Sequence, residues 1–185
     1  MKTKSIIFIT RNQNKMDEVT ELLRDSGLAL IHHADAIEEL QTEDEEKLVR
    51  DKLLKAFRMC GRPVIVEHTS LQIRYLNDFP GGLTQIFWEK LGPDRFSEVV
   101  GKLPDTSVTA KTIIGYCDGK ILHYFDGTIS GKVPSHPAGP KDFQWDCVFV
   151  PDGYTQTFAE MGTEKKNEIS MRKIAYDQFI KYLQS

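Results

Sequence analysis

The sequence predicts an α/β fold, with a long mixed β-sheet and helices packed around it. Residues 6–9 form a continuous run of β-branched and aromatic side chains, which is typical of a strand buried on both faces. Apolar side chains between residues 16 and 23 then recur at helical spacing. Residues 108–133 have strand-like patterns on either side of Asp118 and Gly119, which predicts a β-hairpin. Strands and helices that alternate in this way indicate an α/β architecture.

The other elements follow from the same patterns. The chain begins with a strand, a polar loop and a helix. This order places the loop and the N-terminus of the first helix at one ligand site. Further along the chain we predict strands at 28–31, 64–66 and around 147–150, helices at about 46–57, 83–91, 94–103 and 169–183, and loops at 77–82 and 134–140.

Composition limits the class of protein. With 185 residues and 40% hydrophobic content, the chain can bury one good core, and we expect residues 1–185 to form a single domain with two lobes. The net charge of −3 argues against a dedicated nucleic-acid-binding protein. The three cysteines form no CxxC pair and no apolar run is long enough to span a membrane, so we expect a cytoplasmic protein.

Glu67 and His68 directly follow the apolar run 63–66. A buried strand that delivers acidic side chains at its C-terminal end is a common way to hold Mg²⁺ and activate water in α/β enzymes. A buried carboxylate is costly unless it has a partner, so Glu67 is predicted to bind a metal or substrate. The alternative is a structural carboxylate that caps a helix or pairs with a lysine.

The polar segment 10–15 lies between the first strand and the first helix. Thr10 and Asn12 supply hydrogen-bonding groups, Lys15 supplies charge, and the helix N-terminus adds its dipole, which together favour phosphate binding. A helix N-cap with exposed polar neighbours explains the same residues equally well. The acidic run 43–46 is most simply a solvated first helical turn, although one member has the oxygen ligands that suit Mg²⁺.

Two segments near the C-terminus combine aromatic, acidic and basic residues. Phe143, Trp145 and Asp146 suit a purine slot, because aromatic faces stack on bases and polar edges recognise them. Ordinary core aromatics are an equally good explanation. The second segment contains three candidate binding residues near a predicted helix start, namely Lys166, Ser170 and Arg172. Its default interpretation is a solvated, charged turn.

Taken together, these segments resemble the HAM1 family, the inosine triphosphate pyrophosphatases that cleave non-standard purine triphosphates to monophosphate and diphosphate. The resemblance covers almost the whole chain and rests on several motifs in the correct order: Thr10-x-Asn12-x-x-Lys15, Val66-Glu67-x-Thr69, Phe79-Pro80-Gly81, Ser130-Gly131, Phe143-x-Trp145-Asp146, Pro151-Asp152-Gly153-Tyr154, Thr157-Phe158-Ala159-Glu160-Met161, Lys166-Asn167 and Ser170-x-Arg172. It implies an elongated two-lobed fold with a central cleft, usually in a homodimer.

The resemblance also implies roles for particular residues. Thr10, Asn12 and Lys15 would hold the triphosphate, and Lys166 would contact phosphate. The base pocket would comprise Phe143, Trp145 and Asp146, with Ser170 and Arg172 helping to recognise the 6-oxo edge. Thr69 and Ser70, beside Glu67, and Lys52 complete the predicted substrate-binding set, and Glu43 with Glu67 is the predicted Mg²⁺ pair.

Several positions depart from the family pattern. The catalytic aspartate after the strand glutamate is His68 here, and the histidine between Ser170 and Arg172 is Met171. Other substitutions are Arg11, Gln85, Gln144 and Cys147 for the family's glycine, lysine, glycine and proline. Imidazole never supplies negative charge, and its protonated form repels a metal ion, so position 68 is expected to have lost the water-activating role.

These departures favour a binding protein over an enzyme. The leading interpretation is a degenerate HAM1-like protein that binds an inosine-type triphosphate, such as dITP, with little or no hydrolysis. Such a protein resembles the sensing subunits of bacterial antiviral systems such as Kongming, which implies a Sir2-like NADase as effector partner. The alternatives are an active Mg²⁺-dependent pyrophosphatase using Glu67, Glu43 and His68, and a structural subunit whose cleft is a relic.

Overall fold

In the computed structural model, which describes residues 4–185, a seven-stranded mixed sheet forms the centre of the molecule. The strand order is β2-β1-β3-β5-β6-β7, and β4 pairs with β3 outside that path. Strand β1 pairs parallel with β2 on one side and with β3 on the other, whereas β5 pairs antiparallel with both β3 and β6. The strands are β1 Lys4–Ile9, β2 Leu28–His33, β3 Val64–Ile73, β4 Pro80–Gly81, β5 Ser107–Cys117, β6 Leu122–Lys132 and β7 Val150–Pro151.

In the described part of the chain, five α-helices accompany the sheet: α1 Gln13–Leu22, α2 Glu45–Cys60, α3 Thr84–Val100, α4 Phe158–Ile169 and α5 Met171–Gln184. Short 3₁₀ helices occupy Arg74–Leu76 and Gln144–Val148. Helix α3 is interrupted at Gly92, whose φ of 64° is left-handed, so the two separate helices predicted around Gly92 and Pro93 are confirmed as two segments meeting at a break. Within residues 4–185, no helix combines the length and apolar character needed to cross a membrane.

Alternating side chains of β1 enter two different parts of the core. Ile6 and Phe8 pack in the cluster that contains Val19 of α1 and Phe179 of α5. Ile7 and Ile9 instead belong to the cluster that includes α2 residues, among them Leu53. Successive side chains of a strand point to opposite faces of its sheet, so the continuous apolar run 6–9 reflects burial on both faces, as predicted.

A third core cluster builds a second lobe around the far halves of β3 and β5. It joins Ile73 and Val108 to Phe96 of α3 and to Phe149. The long strands β3, β5 and β6 pass through both lobes, which ties the lobes together by continuous backbone pairing. The predicted fold class, a long mixed sheet with flanking helices and two lobes, is confirmed.

Some predicted elements differ from the structure. The strand predicted around 147–150 is wrong for Cys147 and Val148, which lie in a 3₁₀ helix, and the strand itself covers only Val150–Pro151. A short apolar run does not distinguish a strand from a buried turn, because both require the same apolar side chains. The hairpin of β5 and β6 is confirmed, but its strands are longer than the pattern indicated, and α4 was not predicted.

Candidate functional site

A cleft of about 810 Å³ opens where β1 ends beside the middle of β3. The loop between β1 and α1 forms one wall, residues after β2 and Lys52 of α2 form another, and α3 with Gln144 closes the opposite side. Seven of the predicted site residues line it: Thr10, Asn12, Lys15, Lys52, Glu67, His68 and Thr69. Residues far apart in sequence therefore meet at one concave surface, large enough for a nucleotide-sized ligand.

The loop before α1 is organised by its own side chains. Asn12 is the N-cap of α1, and its Oδ1 accepts a hydrogen bond from the Lys15 backbone N–H at 3.1 Å. Thr10 Oγ1 accepts from the Asn12 N–H, also at 3.1 Å. The N-cap interpretation of Asn12 is thus correct, and it leaves the positive end of the helix dipole at the cleft wall, where anions are favoured.

Glu67 is held by a two-point contact with Arg172. Arg172 Nε donates to Glu67 Oε2 at 3.0 Å and Nη2 donates to Oε1 at 2.9 Å. Thr69 Oγ1 also donates to Oε1, at 3.0 Å, and Lys15 Nζ lies 3.3 Å from the same oxygen. Burial opposes ionisation, but the charges of Arg172 and Lys15 outweigh it and hold the pKa of Glu67 well below its usual value.

Glu18 extends this contact into a buried ion network. Its carboxylate accepts from Arg172 Nη1 and, at 2.6 Å, from Lys166 Nζ. Lys166 Nζ donates in turn to Asp146 Oδ2 at 2.5 Å. All members of the network are less than a tenth exposed except Lys15, so each charge depends on its neighbours for compensation. Glu18 therefore links α1 to α4 and α5 at the base of the cleft.

Close packing of α5 against β6 fixes the position of Arg172. A Cβ atom built on Gly127 of β6 would lie 2.1 Å from the carbonyl oxygen of Met171, so only glycine permits this approach. Ser170 caps the same helix, and its Oγ accepts from the Lys173 N–H at 3.2 Å. Ser170 is thus placed as a helix cap, and Arg172 as a buried partner of two carboxylates rather than a residue of the cleft lining.

The predicted base-pocket residues divide between the core and the network. Trp145 is only 3% exposed and packs edge-on against Phe149, with ring centroids 5.6 Å apart. Phe143 is half-buried, and Lys166 Nζ lies 3.9 Å from the centroid of its ring. Burial raises the pKa of Asp146 to about 6, even though Lys166 opposes that shift. The structure thus groups Phe143, Asp146 and Lys166, and assigns Trp145 to the core.

His68 lies on the cleft beside Glu39 and Lys52. Its Nδ1 is 4.0 Å from Glu39 Oε2, and its Nε2 has no hydrogen-bond partner among the described residues. Burial, together with the charges of Lys52 and Lys15, lowers the pKa of His68 to about 3. The imidazole is therefore neutral near pH 7, and a base of such low pKa is poorly matched to water activation.

Lys52 and Glu39 form a second ion pair at the cleft. Lys52 Nζ lies 2.5 Å from Glu39 Oε1 and donates to the Glu67 carbonyl oxygen at 3.1 Å. Burial disfavours the ionised carboxylate, but Lys52 outweighs that effect and lowers the pKa of Glu39. Lys52 thus presents its positive charge at the cleft, beside the middle of β3, and its role in phosphate binding stays a prediction.

The remaining predicted residues lie elsewhere. Ser70 Oγ donates to Glu45, a buried side chain that also pairs with Lys111 at 3.1 Å. Glu43 lies with Glu45 at a separate surface depression of about 400 Å³ and does not line the main cleft. Glu43 and Glu67, the predicted Mg²⁺ pair, therefore face different surfaces of the protein.

The carboxylates at the cleft are paired with cations of the protein. Both oxygens of Glu67 accept from Arg172, and Glu39 is paired with Lys52. No group of three His, Cys, Asp or Glu residues within 4–185 is arranged to hold a metal ion. Mg²⁺ is usually bound through one or two carboxylates together with substrate phosphates. At this cleft those carboxylates would be the buried Glu67 and the partly exposed Glu39, both already compensated by cations.

Sequence reasoning missed two residues of the site. Glu18 lies three positions after Lys15, on the same helical face, so its spacing could have indicated a role next to the loop. Glu39 lies before the acidic run 43–46, and the sequence assigns it no role. Its pairing with Lys52 has no local sequence signal, because thirteen positions separate the two residues.

The fold and the cleft define a two-lobed α/β protein in which buried ion pairs lie between the walls of a large polar cleft. The profile of the Ham1 family matches residues 6–182, and the chain belongs to that family. It is 35% identical over 181 residues to the inosine triphosphate pyrophosphatase of Yarrowia lipolytica, with 97% of this chain and 95% of that one covered. It is 32% identical over 178 residues to the dITP/XTP pyrophosphatase of Methanosarcina mazei, with 96% of both chains covered.

Solved structures agree with this assignment. A HAM1 protein from Coxiella burnetii superposes with a TM-score of 0.84 at 25% identity, with 98% of each chain covered. The Ham1 protein of Staphylococcus aureus superposes with a TM-score of 0.79 at 20% identity over 98% of each chain, a likeness that concerns the fold alone.

Proposed function

We propose that this protein binds an inosine-type purine nucleoside triphosphate, such as dITP, in the cleft. The observation that carries the proposal is the meeting of the α1 N-terminus, Lys15 and Lys52 at one cleft, since helix dipoles and lysines are suited to a polyphosphate. The names of the relatives support the same ligand class, because they act on inosine triphosphate, dITP and XTP.

The purine would lie toward Phe143, Gln144 and the Lys166–Asp146 pair. Gln144 lines the cleft next to the half-buried Phe143 ring, which offers an aromatic surface. Lys166 and Asp146 form a buried donor–acceptor pair next to that ring, although neither lines the cleft itself. Polar groups of this kind suit the edge of an inosine-type base. We therefore propose that Lys166 acts at the base rather than at the phosphates.

The first candidate activity is cleavage of the bound triphosphate to monophosphate and diphosphate. The relatives' names favour this activity more directly than they favour a role in binding alone. The local chemistry makes the cleavage slow, because neutral His68 and the cation-paired Glu67 are both weak bases. Loss of a general base typically lowers a rate by about 10²–10⁴-fold.

The second candidate is a nucleotide sensor that retains its ligand without turnover. Its specific support is His68, where the resemblance places the catalytic aspartate, together with the Arg172 contact that occupies Glu67. A sensor would pass the signal to an effector protein or act through a homodimer. The resemblance suggests that the effector is a Sir2-like NADase in antiviral defence. Ligand binding would change such an assembly only by favouring one of its states.

A titration with dITP followed by product analysis of the same sample tests both candidates. We expect saturable binding by the wild type, weakened by Lys15→Gln and unchanged by Glu21→Gln, an exposed position of the same helix. Product in excess of protein, abolished by Glu67→Gln in a folded variant, supports the pyrophosphatase. Stoichiometric binding without product supports the sensor, and absence of binding by the wild type contradicts both.

A further inference from the structure

Two carboxylates of the cleft, the buried Glu67 and the partly exposed Glu39, are each paired with the protein's own cations. Glu67 is 1% exposed at its side chain and receives the Arg172 two-point contact, the Thr69 hydroxyl and Lys15. Glu39 is paired with Lys52 at 2.5 Å. Each oxygen of Glu67 accepts from Arg172, so a metal ion at Glu67 would compete with a buried charge-assisted contact and weaken the compensation of Arg172.

Position 68 cannot supply the missing negative charge. Histidine is neutral or cationic at every pH, so a divalent ion next to Glu67 gains no anionic ligand from this side chain. His68 belongs to the cleft lining, and its Nε2 atom is buried without a hydrogen-bond partner among residues 4–185. Buried polar atoms are normally paired, so an unpaired one on a residue of the lining is suited to a ligand atom.

The cations of the cleft add a direct electrostatic obstacle. Lys15 and Lys52 line the cleft, and Arg172 lies directly behind Glu67. A divalent ion near Glu67 would be repelled by these three charges, which Glu67 and Glu39 offset only in part. The remaining carboxylates of the lining, Asp35, Glu38 and Glu89, are exposed, so water and salt screen their attraction.

We propose that the cleft binds its nucleoside triphosphate as the free anion rather than as the Mg²⁺ complex. Lys15 and Lys52 neutralise the phosphates, and His68 Nε2–H donates a hydrogen bond to a phosphate oxygen. This inference rests on the proposed nucleotide binding and goes beyond it, because it assigns the charge compensation of the phosphates to the protein. It also separates binding from turnover, since retention of the ligand does not need the metal.

The test is calorimetric titration of the full chain with dITP in excess EDTA and again in excess Mg²⁺. We expect the dissociation constant in EDTA to equal that in Mg²⁺ within about threefold, or to be lower, since Mg²⁺ removes negative charge from the ligand. Affinity at least about tenfold higher in Mg²⁺ than in EDTA overturns the inference but leaves the proposed function intact. Absence of binding in both conditions overturns the proposed function, and the inference with it.

Two variants of position 68 provide a matched pair. His68→Asp adds a carboxylate next to Glu67, so we expect its affinity to fall in EDTA and to recover at least about tenfold when Mg²⁺ is added. His68→Asn introduces a side chain of the same shape as aspartate but without its charge. We expect the affinity of this variant for dITP to be independent of Mg²⁺. Thermal unfolding curves identify the folded samples. Equal dependence on Mg²⁺ in the wild type and both folded variants overturns the inference.

Discussion

Arg172 donates two parallel hydrogen bonds to the Glu67 carboxylate, from Nε to Oε2 at 3.0 Å and from Nη2 to Oε1 at 2.9 Å. The pair joins α5 to the strand that carries the candidate site, and both side chains are almost completely buried. A planar guanidinium fixes a carboxylate in this way with more directional precision than an ammonium group does. The contact therefore sets the position of Glu67 as well as its charge.

Replacement of Arg172 by Met should destabilise the protein by about 3–5 kcal/mol, because it leaves Glu67 and Glu18 buried without their main partner. Urea unfolding followed by circular dichroism measures the change. The double variant Glu67→Gln with Arg172→Met should lose less than the Arg172 variant alone, since it removes one of the stranded charges. A double variant that is less stable than the single one contradicts this account of the pair.

Glu18→Gln should weaken both stability and dITP binding, although Glu18 does not line the cleft. The carboxylate holds Lys166 and Arg172 together, and the neutral amide compensates neither charge fully. Calorimetry and urea unfolding measure the two effects. The control is Glu21→Gln on the exposed face of α1, for which we expect a change within about 0.5 kcal/mol. If the two variants behave alike, Glu18 has no positioning role.

Asp146 should make stability depend on pH in the mildly acidic range. Its pKa is raised from 3.8 to about 6 in the folded protein, chiefly by burial, so the folded state holds a proton that the unfolded chain has lost. The stabilisation is complete below pH 3.8 and is lost as the pH rises through about 6. Glu67 acts in the opposite sense, because its pKa is lowered and its contribution is lost on acidification.

The measurement is the difference in unfolding free energy between Asp146→Asn and the wild type across that range. We expect the unfolding free energy of the variant to increase relative to that of the wild type as the pH rises, by on the order of 2–3 kcal/mol. A difference that does not change with pH contradicts the raised pKa. The subtraction cancels the contribution of Glu67, which both proteins share.

Trp145→Ala should act mainly on stability, by about 3–5 kcal/mol, because the indole is buried against Phe149 in the core of the second lobe. Phe143→Leu should instead weaken dITP binding and leave stability nearly unchanged, since its ring is only half-buried. Unfolding and titration of both variants separate the two roles. A Trp145→Ala variant that is as stable as the wild type but fails to bind dITP would contradict the core role and assign Trp145 to the base pocket.

The sequence predicted the fold well where patterns are long and local. The run at residues 6–9, the polar loop and the periodic apolar residues of α1 specify β1, the loop and the helix in order. The 3₁₀ turn at Gln144–Val148 escaped prediction because Gln144 adopts a positive φ of 43° that no composition signal marks. Its apolar neighbours are equally compatible with a strand.

The candidate site was only partly predictable for a related reason. Lys15 follows from its place next to the start of a predicted helix and Glu67 from its place after a buried apolar run, whereas Lys52 follows from the family resemblance alone. Glu18 and Lys166, however, are separated by 148 positions, and nothing in either segment indicates the other as partner. Charged residues have many possible partners in a sequence, and only the packing of α1 against α4 and α5 selects among them. Motif resemblance located Lys166 and Arg172 with their partners Asp146 and Glu67, but not Glu18, which binds both cations.

The central claim is that the cleft binds an inosine-type triphosphate while position 68 limits its cleavage. The most direct test measures diphosphate release from saturating dITP with Mg²⁺ by the wild type and by His68→Asp, with His68→Asn as the uncharged control. We predict that His68→Asp is faster than the wild type by about 10²-fold or more and that His68→Asn is not. A wild type that releases diphosphate as fast as His68→Asp, at equal occupancy, would contradict the claim.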